Sequence, residues 1–350
     1  MKTSLTTIGT LRFPLMILVV YAHMVSFETS KISLTFSIDD FSIFIKELLS
    51  NNLGRLPVPC FFLFSGYLFF LKVYDWNKEI YKSSLIKKIK TLLVPYLLWN
   101  TIYIVIIILK NLVFKNFGLS QDENYAYIAG TPFYQLLADP VYFAFWYIRD
   151  LLIMILLTPI FYFLIKKLDF LFLIILCVFY LSTLEIPYFK INSTSVMFFG
   201  MGAFFGIKKI DFVSLSIKYN YAIITVSIIL LLLSLFYNGS VYYENAIRPF
   251  ILVGIFTVFY IGYQISLSPS ISKRILSVTP TTFFIYATHQ IYLLGWIKGF
   301  FVKFSYTSLG IGGIISYLIS PIICCAICVL LYMLFNKYIP KILSFSIGNR

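Results

Sequence analysis

Two ionisable side chains interrupt the first apolar segment of this chain, and they are the residues best suited to chemistry. Arg12 and His23 lie in Thr10-Leu-Arg-Phe-Pro-Leu-Met-Ile-Leu-Val-Val-Tyr-Ala-His-Met24, and His23 is one of only 2 histidines in 350 residues. A charge inside a bilayer is costly, so ionisable residues in spanning segments tend to face the bundle interior and mark a substrate path or a reactive site. Eleven residues make about three helical turns, so both side chains fall on nearly the same face, roughly 16 Å apart along the axis. That face offers a cationic anchor for an anion and, farther along, an imidazole that can accept a proton. Plainer structural readings stand beside these: snorkelling of Arg12 to the inner headgroups and an interhelical hydrogen bond for His23.

The elements that hold this pair must be membrane helices. Hydrophobic residues make up 60% of the chain and charged residues 12%, with a mean hydropathy of +0.90; a soluble domain carries about a quarter charged residues. Repeated apolar runs of about 18 residues or more point to an all-α, polytopic protein in one integral membrane domain over residues 1–350. Hydropathy predicts about ten transmembrane helices, near 8–27, 53–73, 85–109, 143–165, 169–185, 194–208, 219–237, 247–266, 279–299 and 312–335. The first is expected to be a retained helix: its basic start is weak, Arg12 lies inside it, and no small-x-small cleavage site follows. The five cysteines, 60, 177, 324, 325 and 328, all lie in apolar runs. Cys325-Ala-Ile-Cys328 has no histidine or second pair close by in sequence, so the cysteines read as small packing residues, with neither a metal site nor a disulfide framework expected.

Charge orients the bundle. One set of loops and ends carries 17 basic residues against 4 acidic ones, whereas the opposite set carries 9 of each. Short basic loops stay in the cytoplasm, which predicts that both termini are cytoplasmic. Topology thus accounts for the net charge of +14, and no nucleic-acid partner is expected. In this orientation Arg12, Lys87 and Lys90 form an inner cationic region. His23, Arg149 and Arg248 form an outer polar region, to which His289, near mid-depth, is a further candidate. The longest outer loop, about 110–142, carries Asp122-Glu-Asn-Tyr-Ala-Tyr127 and Phe133-Tyr134-Gln135. Its aromatic and acidic character would suit a sugar.

Further motifs follow in order: Phe61-Phe-Leu-Phe-Ser65-Gly66, Lys87-Lys-Ile-Lys90 ahead of Pro95-Tyr96, Phe145-Trp146-Tyr-Ile-Arg149-Asp150, Phe198-Phe-Gly-Met-Gly202 and Ile285-Tyr-Ala-Thr-His289-Gln290. Together with Arg12 and His23, this ordered set resembles acyltransferase family three, and the resemblance covers nearly the whole chain. Those are integral membrane enzymes that move acyl groups, usually acetyl from acetyl-CoA, onto hydroxyls of surface and extracellular polysaccharides. The resemblance implies that Arg12 and His23 take the family's first-helix roles. It implies that Lys87 and Lys90 stand where the family usually has an Arg-x-x-Arg pair. Lysine keeps the charge but loses the planar fork that grips phosphate in a bidentate way.

With that family in view, acetyl-CoA is the expected donor, with Arg12, Lys87 and Lys90 on its phosphates and its pantetheine arm spanning the distance to His23. A neutral His23 would take the proton of a sugar hydroxyl as it attacks the thioester; an acyl-histidine intermediate is the other route. Arg149, Ser65 or a backbone group would stabilise the oxyanion. Ser65, Trp146, Arg248 and His289 are candidates for substrate contact, and no metal is implied. The expected partners are acyl-CoA, a polysaccharide or lipid-linked sugar, and the lipid bilayer of the inner or plasma membrane. Each candidate has a plainer alternative: Lys87 and Lys90 as positive-inside residues, Arg149-Asp150 as a self-neutralising pair, His289 as a bond to a neighbouring helix. Gly200-Met-Gly202-Ala-Phe-Phe-Gly206 reads as a helix-packing stripe, because no strand precedes it. The rival functions are a transporter or flippase of a lipid-linked glycan and, more remotely, a receptor without chemistry.

Overall fold

The computed structural model describes residues 2–25, 28–32, 37–71, 73, 76–117, 123–184, 191–304 and 310–349. They are helical, with no strand among the described residues. Among the described residues five helices are long and apolar enough to cross a membrane: Thr3–Ala22, Ile38–Leu71, Lys78–Asn116, Tyr243–Leu267 and Gly310–Tyr338. The number rises to seven if the broken pairs Phe143–Leu156 with Thr158–Leu168, and Phe212–Lys218 with Asn220–Phe236, each count as one span. The protein is therefore an all-α polytopic membrane protein. Every one of the ten expected segments meets a helix, but several are short or broken. Phe170–Leu181 has 12 residues and Ser193–Ile207 has 15, against the roughly 20 that a full crossing needs.

The chain forms two compact units. The first comprises residues 1–75 and 160–331, the second residues 76–159 and 332–350. In the first unit, α1 (Lys2–Ala22) is followed by α2 (Ile38–Lys46), which runs through a π-helical turn (Glu47–Asn52) and a 3-10 turn (Leu53–Arg55) into α3 (Pro57–Leu71). The second unit holds α4 (Lys78–Lys88), a π-helical turn (Ile89–Leu93), α5 (Val94–Asn116), α6 (Glu123–Gly130), α7 (Phe133–Ala138) and α8 (Trp146–Leu156). The first unit resumes at Ile160, within α9 (Thr158–Leu168), and continues with α10 (Phe170–Leu181), α11 (Ser193–Ile207), α12 (Phe212–Lys218), α13 (Asn220–Phe236) and α14 (Tyr243–Leu267). Then come α15 (Pro269–Val278), α16 (Thr282–Thr288), a π-helical turn (His289–Leu293), α17 (Leu294–Val302) and α18 (Gly310–Tyr338); α19 (Pro340–Ser346) belongs to the second unit.

Glycine sets the closest helix crossing. A methyl placed on Gly66 of α3 would collide with the Phe199 carbonyl oxygen of α11, and one on Gly202 of α11 would collide with the Leu63 carbonyl oxygen of α3. Two backbones this close gain dispersion along their whole length, the usual route to helix association where lipid removes the hydrophobic drive. The Ser65-Gly66 and Gly200-to-Gly206 motifs thus meet each other, and the glycine stripe is packing surface. Around them Phe64, Tyr67, Phe212 and Phe259 form an aromatic core, with ring centres 4.7–6.5 Å apart.

Three expected boundaries change. α1 ends at Ala22, because the His23 and Met24 amides close onto the carbonyls of Val20 and Tyr21. The expected outer loop holding Lys46 and Glu47 is instead helical. Glu47 is buried there, since neighbouring donors satisfy its carboxylate. The expected loop near 110–142 is mostly helix: α5 runs on to Asn116, and α6 and α7 follow. Tyr127, Phe133 and Tyr134 there are exposed. Asp122 of that loop, Glu185 and Lys190 of the outer set, and Lys72, Asp75 and Arg350 of the inner set lie outside the described residues.

Candidate functional site

His23 occupies the first turn beyond α1, and its neighbours pin that turn from both sides. On one side the Ser50 hydroxyl, from the π-helical turn after α2, donates to the Tyr21 carbonyl. Ser50 also pairs with the Tyr317 hydroxyl of α18 at 2.6 Å, and the Tyr21 hydroxyl donates to the Leu318 carbonyl at 2.6 Å. On the other side Lys298 of α17 donates to the Met24 carbonyl at 2.9 Å. A helix C-terminus leaves carbonyls without intrahelical partners and favours a cation there. Ser50 and Lys298 supply what this one lacks.

Behind that turn lies a buried carboxylate that sequence reading placed in a loop. Glu47 accepts from the Ser30 amide (2.9 Å), the Asn51 side chain (2.9 Å) and the Asn238 side chain (2.7 Å). Asn52 bridges to Asn238 at 3.3 Å and accepts from Ser234 at 2.6 Å. Three neutral donors thus satisfy the hydrogen-bonding capacity of a buried carboxyl group. The signal in the sequence was Glu47-Leu-Leu-Ser-Asn-Asn52, four polar residues on a segment otherwise apolar enough to span.

His289 meets His23 here. Their ring centres lie 5.3 Å apart, tilted by 42°. His23 is half-exposed and His289 fully buried, so only the first ring opens outward. His289 begins the π-helical turn that breaks the expected 279–299 helix. Ile291 (ψ 73°) and Tyr292 (φ 62°) leave helical geometry there. Irregular backbone at membrane depth is tolerated where it is buried in protein or lines a cavity. The Nδ1 of His289 lies 3.0 Å from the carbonyl oxygens of both Ile285 and Tyr286, and its Nε2 has no hydrogen-bond partner. Sequence placed His289 near mid-depth, as a further candidate for the outer polar region of His23; the structure sets the two rings side by side. It also sets Cys324 and Cys328 beside this turn, with the Cys324 thiol 4.0 Å from the His289 carbonyl oxygen and Cys328 3.4 Å from Thr288 Oγ1. All five cysteines are free thiols.

The other candidates divide between the two units. In the first, Arg12 lies on the exposed side of α1, between buried Leu11 and half-buried Phe13, and Ser65 is half-buried on α3. Arg248 donates to the Tyr180 carbonyl at 2.6 Å, with longer contacts of 3.4 Å to Ser193 and Glu244, and it sits over the Tyr180 ring. Glu244 also pairs with Arg55 at 2.6 Å. These bonds tie α14 to α10 and α11 and give Arg248 a packing role.

In the second unit Lys87 lies in the last turn of α4 and Lys90 in the following π-helical turn, three residues on; both are exposed. Trp146 opens α8 and is half-buried. Arg149 is gripped by fully buried Asp150 at 2.9 Å and by Asp139 at 3.1 Å. The self-neutralising reading of Arg149-Asp150 therefore has a geometric basis, with a second acid added by Asp139. No cluster of metal-binding side chains occurs among the described residues.

Comparison with known proteins places this arrangement. The chain is 25% identical over 323 residues to the succinoglycan biosynthesis protein ExoH of Rhizobium meliloti (strain 1021), covering 87% of this chain and 82% of that protein. No solved structure matches. The acyltransferase domain family matches residues 6–333, from α1, which leads into His23, to the last turns of α18. The chain belongs to that acyltransferase family.

Proposed function

We propose that this protein is an O-acyltransferase of the cell membrane that moves an acyl group, most simply acetyl, from acyl-CoA to a hydroxyl of a polysaccharide or lipid-linked saccharide. Family membership supports acyl transfer, and the name of the R. meliloti relative points to an exopolysaccharide as the acceptor class. The observation that carries the reading is the His23–His289 pair: the chain's only two imidazoles, on separate helical segments, brought ring to ring.

His23 is the general base. It takes the hydroxyl proton as the oxygen attacks the thioester carbonyl, the C–S bond then breaks, and the CoA sulfur leaves with the proton that His23 carried. Arg12, Lys87 and Lys90 are assigned to the anionic donor on charge and position in the chain. Ser65, Trp146 and Arg248 are assigned to substrate contact only where substitution alters KM without unfolding the protein. The test is chemical. In cells lacking the protein, wild type should restore base-labile acyl groups on surface polysaccharide, and His23→Ala should not, although it inserts and accumulates normally. Full acylation by His23→Ala would contradict the assignment.

A further inference from the structure

His289 is fully buried, and its Nε2 has no hydrogen-bond partner. Its tautomer follows from its neighbours. Two carbonyl oxygens 3.0 Å from Nδ1 accept hydrogen bonds and donate none, so Nδ1 carries the proton. In the neutral ring Nε2 is then a bare lone pair. It is fully buried and unpaired, and an unmet buried acceptor costs about 1–3 kcal/mol. The apolar cluster around the turn, with Met16, Val20, Ile285, Leu294 and Cys324, offers it no strong donor. The nearest imidazole is His23, with ring centres 5.3 Å apart. No hydrogen bond joins the two rings as they stand, but each ring nitrogen sits about 1.1 Å from its ring centre, so rotation of the His23 ring that turns a nitrogen toward Nε2 brings the two about 3 Å apart, within hydrogen-bonding range.

The geometry points to His289 as the positioning residue for His23: its Nε2 accepts an N–H from the His23 ring and fixes which His23 nitrogen keeps the lone pair. This rests on the proposed acyl transfer with His23 as base. The hydrogen bonds then run in one direction, from the acceptor hydroxyl to the outward nitrogen of His23, from its inward N–H to His289 Nε2, and from His289 Nδ1–H to the backbone carbonyls of α16. When His23 takes the hydroxyl proton it becomes an imidazolium, and His289 Nε2 stabilises that charge by accepting its inward N–H. The proton returns from the outward nitrogen to the departing sulfur. His289 gains and loses none. A carboxylate does this job in the serine-protease triad; here a second imidazole, anchored by main chain, takes its place inside a membrane.

The test uses the fact that the chain has 2 histidines. Ring-15N-labelled histidine gives one set of signals for each, and bare and protonated nitrogens are well separated in the spectrum. In wild-type protein in nanodiscs, His289 should show a protonated Nδ1 and a bare Nε2, with His23 in a single tautomer. In His289→Leu, His23 should become a mixture of tautomers. Acyl transfer should drop about tenfold to a hundredfold in kcat, with KM for the donor within about twofold. His289→Gln, whose carbonyl can still accept the His23 N–H, should recover a large part of both. A wild-type His23 that is already mixed, or a tautomer that His289→Leu leaves unchanged, would overturn the assignment. A correct tautomer in a protein that transfers no acyl group would uphold the pair and sink the enzymatic reading instead.

Discussion

Ser50 and Lys298 cap the end of α1 on either side of His23, one bonded to the Tyr21 carbonyl and the other to the Met24 carbonyl. The segment bearing the proposed base is therefore held by α1, by the π-helical turn after α2 and by α17. The site is a rigid junction of helices, and its sensitivity to substitution should reflect that.

Glu47 lies one layer behind this junction. Glu47→Ala would leave the Ser30 amide and the Asn51 and Asn238 side chains without their acceptor. The two buried donors, on Asn51 and Asn238, cost about 1–3 kcal/mol each when left unmet. The variant should melt well below wild type, and amides between residues 28 and 31 should exchange with deuterium faster. Glu47→Gln should fall between the two. Wild-type exchange in Glu47→Ala would show that the network does not hold the chain beyond His23.

The α3–α11 crossing gives a sharper structural test. Gly66→Ala and Gly202→Ala each drive a methyl into a carbonyl oxygen of the facing helix, with backbone on both sides and no flexible side chain to yield. Overpacking costs about 1–3 kcal/mol, more where backbone must shift. Both variants should lose thermal stability in detergent and accumulate poorly. Gly295→Ala, which meets nothing, should behave as wild type. Equal melting temperatures for all three would contradict the packing described here.

Arg149 separates a structural role from a catalytic one. Removing it leaves fully buried Asp150 uncompensated, which costs about 3–5 kcal/mol. Arg149→Ala should therefore destabilise the second unit, and Arg149→Ala with Asp150→Ala should be less harmful than the single change. A stable Arg149→Ala protein with a large loss of kcat would favour oxyanion stabilisation.

Arg12, Lys87 and Lys90 should act on the donor. Each surface cation near an anionic ligand contributes about 1 kcal/mol. Arg12→Ala and the Lys87→Ala/Lys90→Ala pair should raise KM for acyl-CoA severalfold and leave kcat within about twofold. The wild-type KM should rise with salt as those charges are screened. Unchanged KM in both variants would return these residues to a topological or headgroup role.

Much of this was legible in the residues. The ten apolar segments all meet helices, and the Gly200-to-Gly206 motif could be read as packing because small residues let helices approach; that Ser65-Gly66 is the surface it packs against was not legible. Arg12 and His23 stood out because ionisable groups are rare in lipid. The π-helical turns did not show, since hydropathy averages over windows and is blind to a backbone that slips by one residue. For the same reason the helix through His289 looked continuous. Glu47 was assigned to a loop because an acid next to a lysine at the end of an apolar run usually lies outside the membrane. Its partner Asn238 is 191 positions away, and no local pattern announces that contact. The His23–His289 pairing is of the same kind, with 266 residues separating its members along the chain.

The most direct test of the central claim is binding of acetyl-CoA to the purified protein, compared with desulfo-CoA and no ligand, for wild type, Arg12→Ala and His23→Ala. The account predicts saturable binding by wild type and His23→Ala, weakened severalfold in Arg12→Ala, with acetyl transfer lost in His23→Ala alone among proteins that still bind. Well-folded wild type that binds no CoA would contradict the acyl-CoA mechanism and favour a glycan transporter.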